Sequence, residues 1–127
     1  MVIVEFVNGE GRTVRKEGPF WSARVDGVTM EAGGGVIGRL EGGRWRIDEE
    51  SVTRVRVLAA ACSVRFEGES DQDARGPFDR VELVDGALYT EPGTRLAARF
   101  DEPARRWHSY DDGCAWPAFV IEGFEPN

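Results

Sequence analysis

The chain has 127 residues, a formal net charge of −7, 41% hydrophobic and 10% aromatic content. This composition excludes a disordered chain, and no apolar run approaches the roughly 18 residues of a membrane-spanning helix. Direct nucleic-acid binding is not expected, because it needs clustered cations that an acidic chain does not offer. The apolar start Val2-Ile3-Val4 has no basic residues before it and no small-residue cleavage pattern after it, which is not a secretory leader. With two cysteines, Cys62 and Cys114, the expectation is a reduced, cytoplasmic chain in which a disulfide between them stays open as an alternative.

In chain order, Val4 and Phe6 open a first strand, and Gly18-Pro19-Phe20 marks a turn. Around Asp26-Gly27 the alternation predicts a hairpin with a type I′ turn, Val25 opposite Val28 and Ala23 opposite Met30. These four share a face with Trp21, while Ser22, Arg24, Thr29 and Glu31 take the other. Gly33-Gly34-Gly35 reads as a strand connector, since it has neither the Lys-Ser/Thr of a phosphate-binding loop nor a following helix. Around Gly42-Gly43 a second hairpin pairs Leu40 with Trp45, adds Ile47 to the same face and turns Arg39, Arg44 and Arg46 outward. Val52, Val55, Val57 and Leu58 form a further strand that continues through Ala59-Ala60-Ala61 into Val64 and Phe66, or breaks there into a short helical turn.

The second half then spells the first again. Gly18-Pro19-Phe20 recurs as Gly76-Pro77-Phe78, Val25-Asp26-Gly27 as Val84-Asp85-Gly86, Arg44-Trp45 as Arg106-Trp107, and Val4 and Phe6 as Val64 and Phe66. The order is kept and the spacing drifts around sixty residues. That pattern predicts an internal duplication with copies at 1–61 and 62–127, whose halves bury their apolar faces together in a single domain. One inconsistency remains: counted from Asp85-Gly86, the face of Val81, Leu83 and Leu88 has the opposite parity to the first copy, and a bulge near Asp79 to Val81 is the simplest repair. No window supports a long amphipathic helix. The expected fold is all-β: two antiparallel meanders of about sixty residues each, ten to twelve short strands in all, forming one pseudo-twofold barrel or compact sandwich.

Charge separates the copies. The first holds 9 Lys/Arg against 9 Asp/Glu and the second 7 against 14, so the whole excess lies in the second. The expected function is a non-enzymatic protein-binding or regulatory module, of inhibitor, immunity or adaptor type, docking on a basic protein partner. Its contact residues would be Glu67, Glu69, Asp71, Asp73, Tyr110, Asp111, Asp112 and Trp116, with Tyr110 and Trp116 as exposed aromatics.

The alternative is a small-ligand-binding β-barrel or an enzyme using the segment from His108 to Trp116, where the copies diverge most. His108, Asp111, Asp112 and Cys114 supply a base, orienters and a thiol nucleophile there. Against it, His108 aligns with the outward Arg46. The same residues with Cys62 lack the close-spaced ligand pairs of structural zinc. Asp71, Asp73, Gly76, Asp79 and Glu82 match calcium-loop positions, but Arg75 stands where an oxygen ligand belongs and flanking helices are missing. Neither a metal nor a cofactor is expected. The aromatics Trp45 and Trp107 read as core anchors at matching positions, and Trp21 and Trp116 as core fillers or pocket walls.

Overall fold

The structure is a computed structural model, and it describes residues 1–68, 74–90, 95–110 and 112–123. The described residues form strands and turns without a helix, and no helix is long and apolar enough to cross a membrane. In chain order the strands are β1 (Val2–Val7), β2 (Thr13–Phe20), β3 (Ser22–Asp26), β4 (Thr29–Ala32), β5 (Gly35–Glu41), β6 (Arg44–Ile47) and β7 (Glu50–Val52). There follow β8 (Arg54–Glu67), β9 (Arg75–Val84), β10 (Ala87–Tyr89), β11 (Leu96–Asp101), β12 (Arg106–Ser109), β13 (Ala115–Trp116) and β14 (Ala118–Gly123). All pairings are antiparallel within one open sheet of order β13-β12-β11-β10-β9-β8-β14-β3-β4-β5-β6-β7, with β1 attached to β8 and β2 to β1. The count exceeds the expected ten to twelve because two- and three-residue strands such as β13 and β7 pair in the ladder.

Period-2 alternation explains why these segments are strands. In β8, Val55, Val57, Cys62, Val64 and Phe66 are all at most 1% exposed while Arg56, Ser63 and Arg65 between them face outward; the alternation breaks only across Leu58 to Ala61. The alanine run is strand and not a helical turn. It is also where the register with β9 slips, since Leu58 pairs with Arg80 but Cys62 with Phe78. The extra residues thus sit on β8, opposite the region where a bulge in β9 was expected.

The end strand of each half lies between the first strand of its own half and the hairpin of the other. The first part of β8 pairs with β1 (Val4↔Val57, Phe6↔Val55) and with β9 (Val57↔Val81, Val55↔Leu83). In the same way β14 pairs with the second part of β8 (Val64↔Ile121, Phe66↔Phe119) and with β3 (Ile121↔Ala23, Phe119↔Val25). One hydrophobic core takes residues from both halves, with Trp45, Trp107, Phe6, Phe66 and Phe119 among its largest buried side chains.

The parity problem has a different solution from the expected bulge. In the first half the two-residue turn is Gly27-Val28, with Asp26↔Thr29 and Val25↔Met30 paired, and not Asp26-Gly27. In the second half the turn is Asp85-Gly86, with Val84↔Ala87 and Leu83↔Leu88 paired. Gly27 and Asp85 are therefore equivalent, each opening its turn with positive φ (58° and 51°). Both hairpins then bury the same face: Ala23, Val25 and Met30 in one, Val81, Leu83 and Leu88 in the other. A glycine at the one position needing φ > 0 outweighs the Asp-Gly signature, and the first hairpin closes one residue later than the sequence suggests. The Gly42-Gly43 hairpin forms as expected, with Leu40 opposite Trp45.

Gly18 and Gly76 also occupy matching places, each followed by a cis proline. Their φ values are 118° and 142°, and a Cβ there would lie 2.9 Å from the Val2 carbonyl and 2.7 Å from the Cys62 carbonyl. The backbone passes so close to the neighbouring strand that only glycine fits. Of the calcium-like residues, Gly76, Asp79 and Glu82 lie along β9 and not in a loop between helices. Asp71 and Asp73 lie outside the described residues.

Candidate functional site

The segment after β12 is held by its own backbone and by Arg75. The Ser109 amide donates to the Cys114 carbonyl (2.8 Å) and the Gly113 amide to the Ser109 carbonyl (3.0 Å), closing a tight loop between β12 and β13. The Cys114 amide donates to Asp112 Oδ1 (2.8 Å), and Arg75 reaches both Asp112 Oδ2 (3.2 Å) and Ser109 Oγ (3.4 Å). Desolvation alone would raise the Asp112 pKa, but the Cys114 amide, Arg75 and Ser109 outweigh it and hold the carboxyl below its ordinary value. Asp112 is thus a structural anion that ties the loop to β9.

Cys114 is exposed and its sulfur contacts the Asp112 carbonyl (3.6 Å), while His108 lies on the outer side of β12 with its ring 6.1 Å from that of Tyr110. His108 and Cys114 share no hydrogen bond. Asp111 lies outside the described residues. Cys62 is a second free thiol, buried in the core, where desolvation pushes its pKa up. No disulfide joins the two cysteines, and no group of three His, Cys, Asp or Glu able to hold a metal ion occurs among the described residues.

Among the expected partner contacts, Glu69, Asp71, Asp73 and Asp111 lie outside the described residues. Tyr110 is 52% exposed, whereas Trp116 is 8% exposed and packs beside Phe66 (6.2 Å between ring centroids). Trp116 is therefore core and not an exposed aromatic, because its place in β13 sets it against the buried Trp107. The exposed tryptophan is instead Trp21, at 82%, which the hairpin pattern had placed inward. The chain bends between β2 and β3 at this residue, and the bend breaks the alternation that would have buried it. The structure-matched residue in the second half is Asp79, also exposed.

Glu67 belongs to a connected network on the outer side of β3, β4, β14 and the second part of β8. Arg24 contacts Glu67 (2.9 Å), Asp26 (3.1 Å) and Glu31 (3.6 Å), and Arg65 contacts Glu67 and Glu122 (both 3.2 Å). The Glu67 hydrogen bond is the largest cause of a raised Arg24 pKa. Four carboxylates thus share two guanidiniums. Trp21 directly precedes β3, and the next residue, Ser22, pairs with Glu122. Of this network Glu67 alone was named from the sequence; Asp26, Glu31 and Glu122 join it only through strand pairing from separate segments.

A partly open, mainly apolar cleft lies elsewhere. About 220 Å³ in volume, it is lined by Val64, Phe66, Phe78, Ala97 and Thr90, with Arg75 and Arg95 at its polar side.

Comparison of the chain with protein-family models, with curated proteins and with solved structures found no match.

Proposed function

We propose that the protein is a non-enzymatic binding module that docks a basic protein partner through Trp21 and the acidic network beside it. The observation that carries this reading is Trp21. A tryptophan at 82% exposure gains nothing from the core, and the matched position carries an aspartate, so the fold itself needs no aromatic there. A large rigid aromatic at a surface is the commonest anchor of a protein interface. On the strand that begins after it, the network of Asp26, Glu31, Glu67 and Glu122 around Arg24 and Arg65 starts at Glu122, paired with Ser22, and runs along β3, which suits an extended basic segment whose first lysine or arginine stacks on the indole.

The same reading holds the molecule to be two copies of one unit. Its support is reciprocal: Trp45 Nε1 donates to the Asp85 carbonyl and Trp107 Nε1 to the Gly27 carbonyl, both at 2.8 Å. The Leu40 amide donates to Val28 (2.7 Å) as the Phe100 amide donates to Gly86 (2.8 Å). In this view the sheet wraps a shared core as a pseudo-twofold sandwich, and the copies diverged at their surfaces.

The test is capture from a lysate of the source cells at low and high salt, comparing the wild type with Trp21→Ser. A stoichiometric basic partner that is released by salt and missing from the variant is the expected result. Equal capture by both proteins refutes the reading. Trp21→Ser is expected to leave stability within about 0.5 kcal/mol, so loss of capture would not be loss of fold. A second reading, a small-ligand site, is favoured by the apolar cleft between Phe66 and Phe78.

A further inference from the structure

The position matching Arg24 in the second half is Glu82, and around it the charge balance is reversed. Glu82 is buried, its side chain 4% exposed, on the outer side of β9. Three guanidiniums close on its carboxylate: Arg80 (Nε to Oε1, 3.1 Å), Arg56 (Nε to Oε1, 3.3 Å) and Arg54 (NH1 to Oε2, 3.5 Å). They come from β8 and β9, in which Arg56 stands directly opposite Glu82. One carboxylate would suffice to neutralise one arginine. Here three share it: Glu5, opposite Arg56 across the β1–β8 ladder, makes no ion pair with it, and among the described residues Glu82 is the one carboxylate in contact with Arg54, Arg56 and Arg80, so the cluster stays net positive in a chain whose net charge is −7.

Neutralising Glu82 does not account for the arrangement. The contacts are close but not aligned as hydrogen bonds: Arg56 Nε, Arg80 Nε and Glu82 Oε1 are all buried without a hydrogen-bond partner. The side chains of Arg54, Arg56 and Arg80 remain 41%, 29% and 40% exposed, so guanidinium donors also reach solvent. Each guanidinium has five N–H groups, and a carboxylate has about four acceptor sites, so most of the donor capacity here is unused. Crowding three cations together costs free energy that a second anion would recover.

We propose that Arg54, Arg56 and Arg80 form a binding site for a small phosphate-bearing ligand, with Glu82 as the positioning residue that holds the three guanidiniums side by side. Bidentate guanidinium donors match the oxygen spacing of a phosphoryl group, a directional fit that the point charge of Lys does not supply. The overall negative charge selects a small ligand over a polyanion such as nucleic acid, which the rest of the surface repels. The site is independent of the face around Trp21.

Binding is tested with the full chain by thermal melting and by ³¹P NMR line broadening, titrating inorganic phosphate and, separately, phenyl phosphate against sodium chloride at matched ionic strength. A saturable stabilisation by either phosphate that chloride does not reproduce is the expected result; the tighter of the two tells a free anion from a monoester. Arg54→Gln and Arg80→Gln each weaken it about tenfold, the size expected for losing a charge-assisted hydrogen bond. Glu82→Gln keeps the side chain's size and one acceptor oxygen, so the guanidiniums stay gathered while a competing charge is gone: tighter phosphate binding is the expected result, and loss of binding in this variant overturns the proposal. Equal shifts with chloride, unchanged affinity in both arginine variants, or binding of an oligonucleotide without binding of phosphate overturns the proposal.

Discussion

Replacing Trp107 with Phe removes the indole N–H that donates to the Gly27 carbonyl at 2.8 Å and trims a side chain with no exposure. The lost hydrogen bond and the carbonyl left without its donor cost about 1–2 kcal/mol, since Gly27 is half-buried and water reaches part of it. The smaller ring leaves space beside Phe119 and Phe100, whose rings lie 5.0 and 5.4 Å from the indole, and adds about 1 kcal/mol. The expected total is about 2–3 kcal/mol, or a fall in Tm of roughly 8–12 °C at about 4 °C per kcal/mol for a chain of this size. Trp45→Phe loses the matching bond to Asp85, also 2.8 Å from a fully buried indole, and is expected to cost the same within about 1 kcal/mol. Urea unfolding followed by circular dichroism measures both, with Trp21→Phe as a surface control. If one core variant costs its full amount and the other less than about 0.5 kcal/mol, the equivalence of the two tryptophans is refuted.

Gly18→Ala and Gly76→Ala are each expected to destabilise by about 2–4 kcal/mol, because the added Cβ meets a neighbouring carbonyl at a backbone conformation that alanine avoids. Gly9→Ala, with 3.6 Å to Thr53 Cγ2 and no such φ, is expected to stay within about 0.5 kcal/mol in the same urea titration. Asp112 has a pKa below its unfolded value, so its contribution to stability is present above about pH 3.9 and is lost as the pH falls through the folded value. Asp112→Asn should therefore flatten the decline of the urea midpoint below about pH 4, and an acid limb unchanged by the substitution would show that Arg75 and the Cys114 amide do not stabilise this carboxylate.

Much of the core was legible because it obeys period 2. Ala23, Val25, Leu40, Trp45, Ile47, Val55, Val57, Val81 and Leu83 are all inward, as alternation requires. The failures have physical causes. The Asp-Gly pair of the first hairpin looks identical to that of the second, yet the chain uses Gly27 and not Asp26 at the positive-φ position; moving the turn by one residue shifts the cross-strand pairing by two, from Val28 to Met30 opposite Val25, and leaves the same face buried. Trp21 left the core because the bend before β3 interrupts that period, and Trp116 entered it because β13 pairs with Trp107. The two charge networks were unreadable for another reason: Arg24 meets Glu67, and Arg54 meets Glu82, only after distant strands have been set side by side.

The exchange of end strands between the halves bears on how the chain comes into being. During synthesis β3 exists long before β14, so Ala23 and Val25 wait with an unpaired edge until residues 118–123 have emerged. The first part of β8 waits similarly for β9. Neither half closes its own sheet, and a polypeptide cut between them would yield two sticky pieces that complete one another and not two small independent folds. Such dependence on distant segments favours slow, all-or-none assembly over stepwise accretion. It also ties the two halves together: each relies on a strand of the other, and separation would expose both.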